Sequence, residues 1–344
     1  MGKIRLSLIT CLAVALILSC GKENEVIKEV DALMEGRNYK QALERLRRAL
    51  KEDPKNPKLL RQQVLLFLKS EQVNYSMAAY EKLHKAKPNH PVLINALSNN
   101  DPVIRVTSAK ALGLMRRQDS IDALIKAAKD SDKSVRQAVV LALGDLKNKK
   151  AVTVLIETLK DPDWFVRAEA AQALSKIGDS QAAEELFALL KDEDVYVRKN
   201  ARKALQDLAN EENKKTYIEA LTHDDDEVRL MAAISLANIG DASSLSVLVE
   251  ELDSSDSADP IDVIRALVKL RDKQALPALR KTMKEADGEA KAYAILALGE
   301  FRDKESTSAI KKLSQSSSTT REVKMACLMA LKRMNQPMRL PDEK

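Results

Sequence analysis

An aspartate recurs every 31 residues along most of the chain, at Asp101, Asp132, Asp163, Asp194, Asp225, Asp256 and Asp287. Four residues later stand Arg105, Arg136, Arg167, Arg198 and Arg229, then Pro260 and Lys291. Leu112, Leu143, Leu174, Leu205, Leu236, Leu267 and Leu298 keep the same register. An eighth copy, displaced by two residues after Ser316-Ser317-Ser318, puts Lys324 and Leu331 in the basic and leucine slots. Such a register means stacked supersecondary units, because one short unit cannot bury its own apolar faces and must lean on the next. Each unit reads as two helices. The Asp is a good N-cap, its side-chain oxygen accepting from the free amides of the first turn. In the third unit Val166, Ala170, Ala173, Leu174 and Ile177 form a stripe at helical spacing. Gly178 supplies the left-handed residue that ends this helix, and Ala182, Leu186, Phe187 and Leu190 belong to the second. The pattern predicts an all-α protein, an α-solenoid (α-α superhelix). Composition points the same way. Nine glycines and 3% aromatics argue against an α/β enzyme built on phosphate loops and against a β-sandwich, while 45% hydrophobic residues are enough to bury a core.

The pattern D-x-x-V-R-x-x-A-x-x-A-L-x-x-I-G-D at 163–179 is similar to the short HEAT-like repeats of the phycobilisome-lyase type, a resemblance covering about residues 101–334. It implies a HEAT solenoid over 91–334 but no lyase activity. In HEAT families such Asp–Arg pairs form a structural ladder. Asp101/Arg105, Asp132/Arg136, Asp163/Arg167, Asp194/Arg198 and Asp225/Arg229 are expected to act so, the Asp capping and the Arg bonding carbonyls or a neighbouring unit's Asp. Upstream, Asn38-Tyr39, Ala42, Leu46, Ala49, Pro54 and Asn56 resemble a tetratricopeptide (TPR) repeat, and Pro88 follows Pro54 at that family's period of 34 residues. A second, weaker copy has Ser76 where a helix-contact Ala belongs. TPR-like repeats are therefore expected over 26–90, with Leu93, Ile94 and Leu97 splicing them to the HEAT-like stack. The tail, 335–344, carries no helical stripe.

The N-terminus reads as an address. Lys3 and Arg5 precede an apolar run from Leu6 to Leu18, which is too short to span a bilayer comfortably. Leu18-Ser19-Cys20-Gly21 resembles a bacterial lipobox. That implies a signal peptide over 1–19, acylation (palmitate-type) of Cys20, and a lipid-anchored tether over 20–25. An ordinary secretory signal is the plainer alternative. Gly21 after the Cys favours the outer membrane by analogy, on the periplasmic or cell-surface side. Cys11 leaves with the signal, and a lone Cys327 can form no internal disulfide.

The chain offers little for chemistry. His84, His90 and His223 lack metal-ligand spacing and lack the His-Glu pairs of HEAT-like iron hydroxylases. No catalytic set, cofactor, metal or small-molecule substrate is expected. The overall balance of +6 is mild, and residues 24–90 hold 14 Lys and Arg against 9 Asp and Glu. Arg45, Arg47, Arg48, Lys51, Lys55, Lys58 and Arg61 gather there, either meeting anionic headgroups or simply solvated. Two surfaces suit a protein partner. Trp164, Phe165, Val195 and Tyr196 share two slots of adjacent units and form a candidate apolar rim, with inter-repeat packing as the alternative. Glu157, Glu184, Glu185, Glu219, Glu250 and Glu251 on the second helices form a candidate acidic groove, which would repel nucleic acid. The reading is a non-catalytic, lipid-anchored protein-interaction scaffold of the bacterial envelope. Its rivals are a surface-exposed host- or ligand-binding lipoprotein and a HEAT-fold enzyme such as a bilin lyase relative.

Overall fold

Short amphipathic segments become helices packed side by side in the computed structural model, which describes residues 22–254 and 260–335. Every regular element among them is helical, and the helix pairs stack as an all-α solenoid. The chain divides into two units, Met1–Ile177 and Gly178–Lys344.

The first unit starts with α1 (22–35), α2 (Tyr39–Glu52), α3 (Pro57–Lys69) and α4 (Val73–Ala86). Asn56 caps α3, its side chain accepting from the amides of Lys58 and Leu59, and Pro57 follows at the first helical position. Val30, Met34, Leu46, Leu59 and Leu66 form the core of α1 to α3. Ser76 is fully buried, and its hydroxyl donates to the Val73 carbonyl at 2.7 Å, so its polar atom is satisfied within α4. Helix α1 begins at residue 22, inside the stretch 20–25 read as the tether. Cys20 and the expected signal peptide lie outside the described residues.

The 31-residue register then becomes a helix pair per period: α5 (Val92–Ala96), α6 (Pro102–Leu114), α7 (Ile121–Ala127), α8 (Lys133–Leu146), α9 (Val152–Thr158) and α10 (Trp164–Ile177). Helices α6 and α8 approach closely at Gly113, where a Cβ would stand 2.8 Å from the Ala142 Cα. The residue ending the first helix is left-handed in period after period, but it is not always glycine. Gly178 has φ +75°, whereas Arg116 and Lys147 hold the same slot at 49° and 52°.

The second unit contains α11 (Ala183–Ala188), α12 (Val195–Leu208), α13 (Lys214–Ala220), α14 (Asp226–Asn238), α15 (Leu245–Asp253), α16 (Pro260–Leu270), α17 (Leu276–Glu285), α18 (Gly288–Glu300), α19 (Thr307–Gln315) and α20 (Arg321–Met334). Leu236, Leu248, Leu267, Leu279, Leu298, Ile310 and Cys327 are fully buried in its core. The second helix expected to carry Ala182, Leu186, Phe187 and Leu190 is present, with α11 extended by 3-10 helix at Ser180–Ala182 and Leu189–Lys191. Asp256 lies outside the described residues. Asp287 makes no side-chain cap and instead pairs with Lys291 at 3.6 Å. Residue 335 ends the described chain, so the tail over 336–344 is not described.

Candidate functional site

The Asp–Arg ladder is built from the caps upward. Asp101 accepts from the Val103 amide at 2.9 Å, Asp132 from Ser134 at 2.8 Å, and Asp163 from Phe165 at 3.1 Å. In the second unit Asp194 accepts from Tyr196 at 2.7 Å and Asp225 from Val228 at 3.1 Å. The arginines pair with a different set of carboxylates. Arg105 grips Asp130 with Nε and Nη2, both at 2.8 Å, and its Nη1 donates to the Asn99 carbonyl at 2.8 Å. Arg136 repeats this with Asp161 at 2.7 and 3.0 Å and with the Asp130 carbonyl at 3.0 Å. Arg167 is buried and donates to the Asp161 carbonyl at 2.9 Å. Arg198 donates to the Asp192 carbonyl at 2.7 Å, and Arg229 donates to the His223 carbonyl at 2.6 Å and to Asp226.

Asp130 and Asp161, two residues before each cap, were not singled out from sequence. Their signal was present, because Asp130, Asp161 and Asp192 are themselves 31 residues apart. Burial pushes the Asp130 carboxyl up, but the Arg105 hydrogen bonds and the Asp132 amide outweigh it and hold the group below the ordinary carboxylate range. His223 holds the next slot of that register, where its Nδ1 accepts the Asp225 amide at 3.0 Å, as Asp130 Oδ1 accepts the Asp132 amide at 2.9 Å. Arg105 and Arg136 are each held by a bidentate carboxylate and by two backbone carbonyls. Among the described residues, no group of three or more His, Cys, Asp or Glu is arranged to hold a metal ion.

The apolar rim is positioned by the first turns of α10 and α12. In the first unit Trp164 is 42% exposed, with the Phe165 ring set edge-on at 5.6 Å. Phe165 also closes a groove of about 540 Å³ along α6 and α8, whose apolar lining includes Val103, Val106 and Leu141. In the second unit Val195 and Tyr196 are 58% and 59% exposed. The cap geometry explains this exposure. The two residues after a capping Asp lie on the outward side of the first turn, and the third, Val166 or Val197, goes into the core.

The acidic surface is less continuous than its sequence suggested. In the first unit Glu157 pairs with Lys129 at 2.7 Å. A cavity of about 910 Å³ there mixes Asp119, Asp122 and Asp130 with Arg105, Lys126 and Lys129. In the second unit Glu219 pairs with Lys215 one turn away at 3.6 Å. Glu184 and Glu250 are exposed and Glu185 and Glu251 half-buried, and these four have no ion-pair partner among the described residues.

A family model described as HEAT repeats matches residues 90–175, 129–206, 183–262 and 215–290, together more than half of the chain. None of the curated proteins compared with the chain matches it. Among solved structures, an engineered protein is 22% identical at a TM-score of 0.46, covering 90% of this chain and 99% of that one. The CpcE–CpcF complex of phycocyanin lyase from Nostoc sp. PCC7120 is 23% identical at 0.35, covering 71% and 93%. Human deoxyhypusine hydroxylase is 20% identical at 0.32, covering 70% and 94%.

Proposed function

Because the chain belongs to the HEAT-repeat family, we propose that it is a non-catalytic protein-interaction scaffold, held at a bacterial envelope membrane by a lipid on Cys20. TPR-like repeats over 26–90 extend the HEAT stack toward that anchor. The observation that carries the reading is the groove of the first unit, where Val103, Val106, Leu141 and Phe165 stand among polar side chains and the 42%-exposed Trp164 sets its ring edge-on to Phe165. Trp is the costliest residue to leave in water and the best anchor for a partner's apolar side chain. Arg105 and Arg136 support the reading from the other side, because each is held by a bidentate carboxylate and backbone carbonyls and so ties the stack together. Val195 and Tyr196 offer a second apolar contact in the second unit. The unpaired Glu184, Glu185, Glu250 and Glu251 suit basic segments. Among the described residues no helix is long and apolar enough to cross a membrane, so attachment in this reading rests on Cys20.

Photocrosslinking in intact cells tests it. A crosslinker at Ser134, which lines the groove and is exposed, is expected to give discrete adducts that disappear in Trp164→Ala and change with Cys20→Ser. The melting temperature of Trp164→Ala should be nearly unchanged. A large loss of stability would assign Trp164 to packing, and adducts indifferent to both substitutions would remove the groove from the proposal.

A further inference from the structure

The basic end of the chain divides into two groups once its partners are known. Arg45 pairs with Glu29, and Lys58 with Glu23 at 2.9 Å. Arg47 and Lys51 instead stand on the wall of a groove of about 600 Å³ formed by α2, α3 and α4, and Lys82 joins them from α4. No carboxylate lines this groove, and none of the three cations has an ion-pair partner among the described residues. The groove is apolar between them. Phe67 and Tyr75 place their ring centroids 5.5 Å apart, and Tyr75 is 63% exposed. Gln63, only 8% exposed, lines the same groove, and its amide has no hydrogen-bond partner among the described residues. Its amide still reaches solvent and can hydrogen-bond an occupant of the groove.

We infer that this groove binds an extended acidic peptide segment that carries an apolar side chain. The carboxylates meet Arg47, Lys51 and Lys82, the apolar side chain lies on Tyr75 and Phe67, and the peptide backbone satisfies the Gln63 amide. Charge complementarity and recessed features together select this occupant. A flat layer of anionic headgroups reaches exposed lysines but not a mostly buried Gln63 or Phe67, and a small anion has no use for an aromatic pair. The site shares no residue with the Trp164 groove, so the inference goes beyond the scaffold reading and can fail separately from it.

The test is fluorescence anisotropy of a labelled acidic decapeptide, DEEDLFEEDE, against the full-length chain in non-ionic detergent. Binding is expected, and it should weaken as salt rises. Charge reversal at Arg47→Glu, Lys51→Glu and Lys82→Glu together should lower affinity roughly tenfold or more. Tyr75→Ala should lower it severalfold, and Trp164→Ala should leave it unchanged. Should the triple variant melt early, the milder pair Lys51→Gln and Lys82→Gln serves with the same expected direction. Three results overturn the inference. The first is binding no tighter than that of a counterpart peptide with Lys for every acidic residue. The second is undiminished binding by a folded triple variant. The third is a triple variant that loses only its attachment to vesicles of about 3:1 phosphatidylcholine and phosphatidylglycerol, which would make the cations a headgroup contact.

Discussion

Residues in two repeat slots face different costs, and substitutions in the two should have opposite signs. Arg116, Lys147, Arg271 and Arg302 adopt φ of 49 to 53° in the slot where Gly178 and Gly240 stand at 75° and 80°. A Cβ in this left-handed region costs roughly 1–2 kcal/mol. Part of that is recovered because a cation beyond a helix C-terminus faces the negative end of the dipole. Arg116→Gly and Arg271→Gly are each expected to stabilise by only about 0.5 kcal/mol, because glycine loosens the unfolded chain and so offsets part of the relieved strain. Gly113 is the reverse case. Its absent side chain admits the Ala142 backbone, so Gly113→Ala should cost about 1–3 kcal/mol through overpacking. Urea titration of the three variants checks both signs, and a Gly113→Ala midpoint at or above that of the parent chain would contradict the close contact between α6 and α8.

At the scale of the element, the turns between helices are held by carboxylates whose titration couples stability to pH. Burial raises the Asp303 carboxyl, but its bonds to Arg280 and Ser306 prevail and set it below the ordinary range, as Arg105 does for Asp130. Asp225 is depressed chiefly by Lys191, 2.7 Å away. Each folded value thus lies below the unfolded aspartate value of about 3.9, so the unfolded chain takes up protons first. The stabilisation is fully present above roughly pH 5 and is lost as pH falls through the depressed values. The urea midpoint should therefore be level near neutrality and drop below about pH 4. Asp303→Asn should lower the neutral midpoint and flatten the acid slope. An unchanged acid slope in that variant would remove Asp303 from the account. Sequence spacing showed the caps at these turns but not all of their bonds. A cap acts within three residues of itself, whereas Arg105 and Asp130 lie 25 residues apart and meet only through packing of one helix pair on the next.

For the whole molecule, stacked repeats with mainly nearest-neighbour contacts should not unfold as one cooperative block. Trp164, the sole tryptophan, reports on the first unit. Leu298 is fully buried in the second, and Leu298→Ala should cost about 2–5 kcal/mol there. The far-UV circular dichroism transition is expected to move to lower urea while Trp164 fluorescence shifts less. Coincident shifts of equal size would mean that the two units share one transition. Chemistry at this scale is sparse among the described residues. The single described cysteine, Cys327, is buried with its thiol pushed up by burial, so it should resist alkylation until its unit opens.

The 31-residue register, the Ala/Leu stripes and the capping aspartates determined by themselves that this chain is an all-helical repeat stack. They act through neighbours three or four residues apart, and such distances can be read along a line. Tertiary structure alone decided which arginine meets which carboxylate, and that Glu157 is neutralised while Glu184 is not. It also showed that Arg47, Lys51 and Lys82 remain unpaired over an aromatic groove whereas Arg45 and Lys58 do not. Those outcomes depend on how helices lie against one another, which brings together side chains far apart in sequence. Local spacing carries no information about such packing, so the helices were legible in advance and the pairing of distant side chains was not.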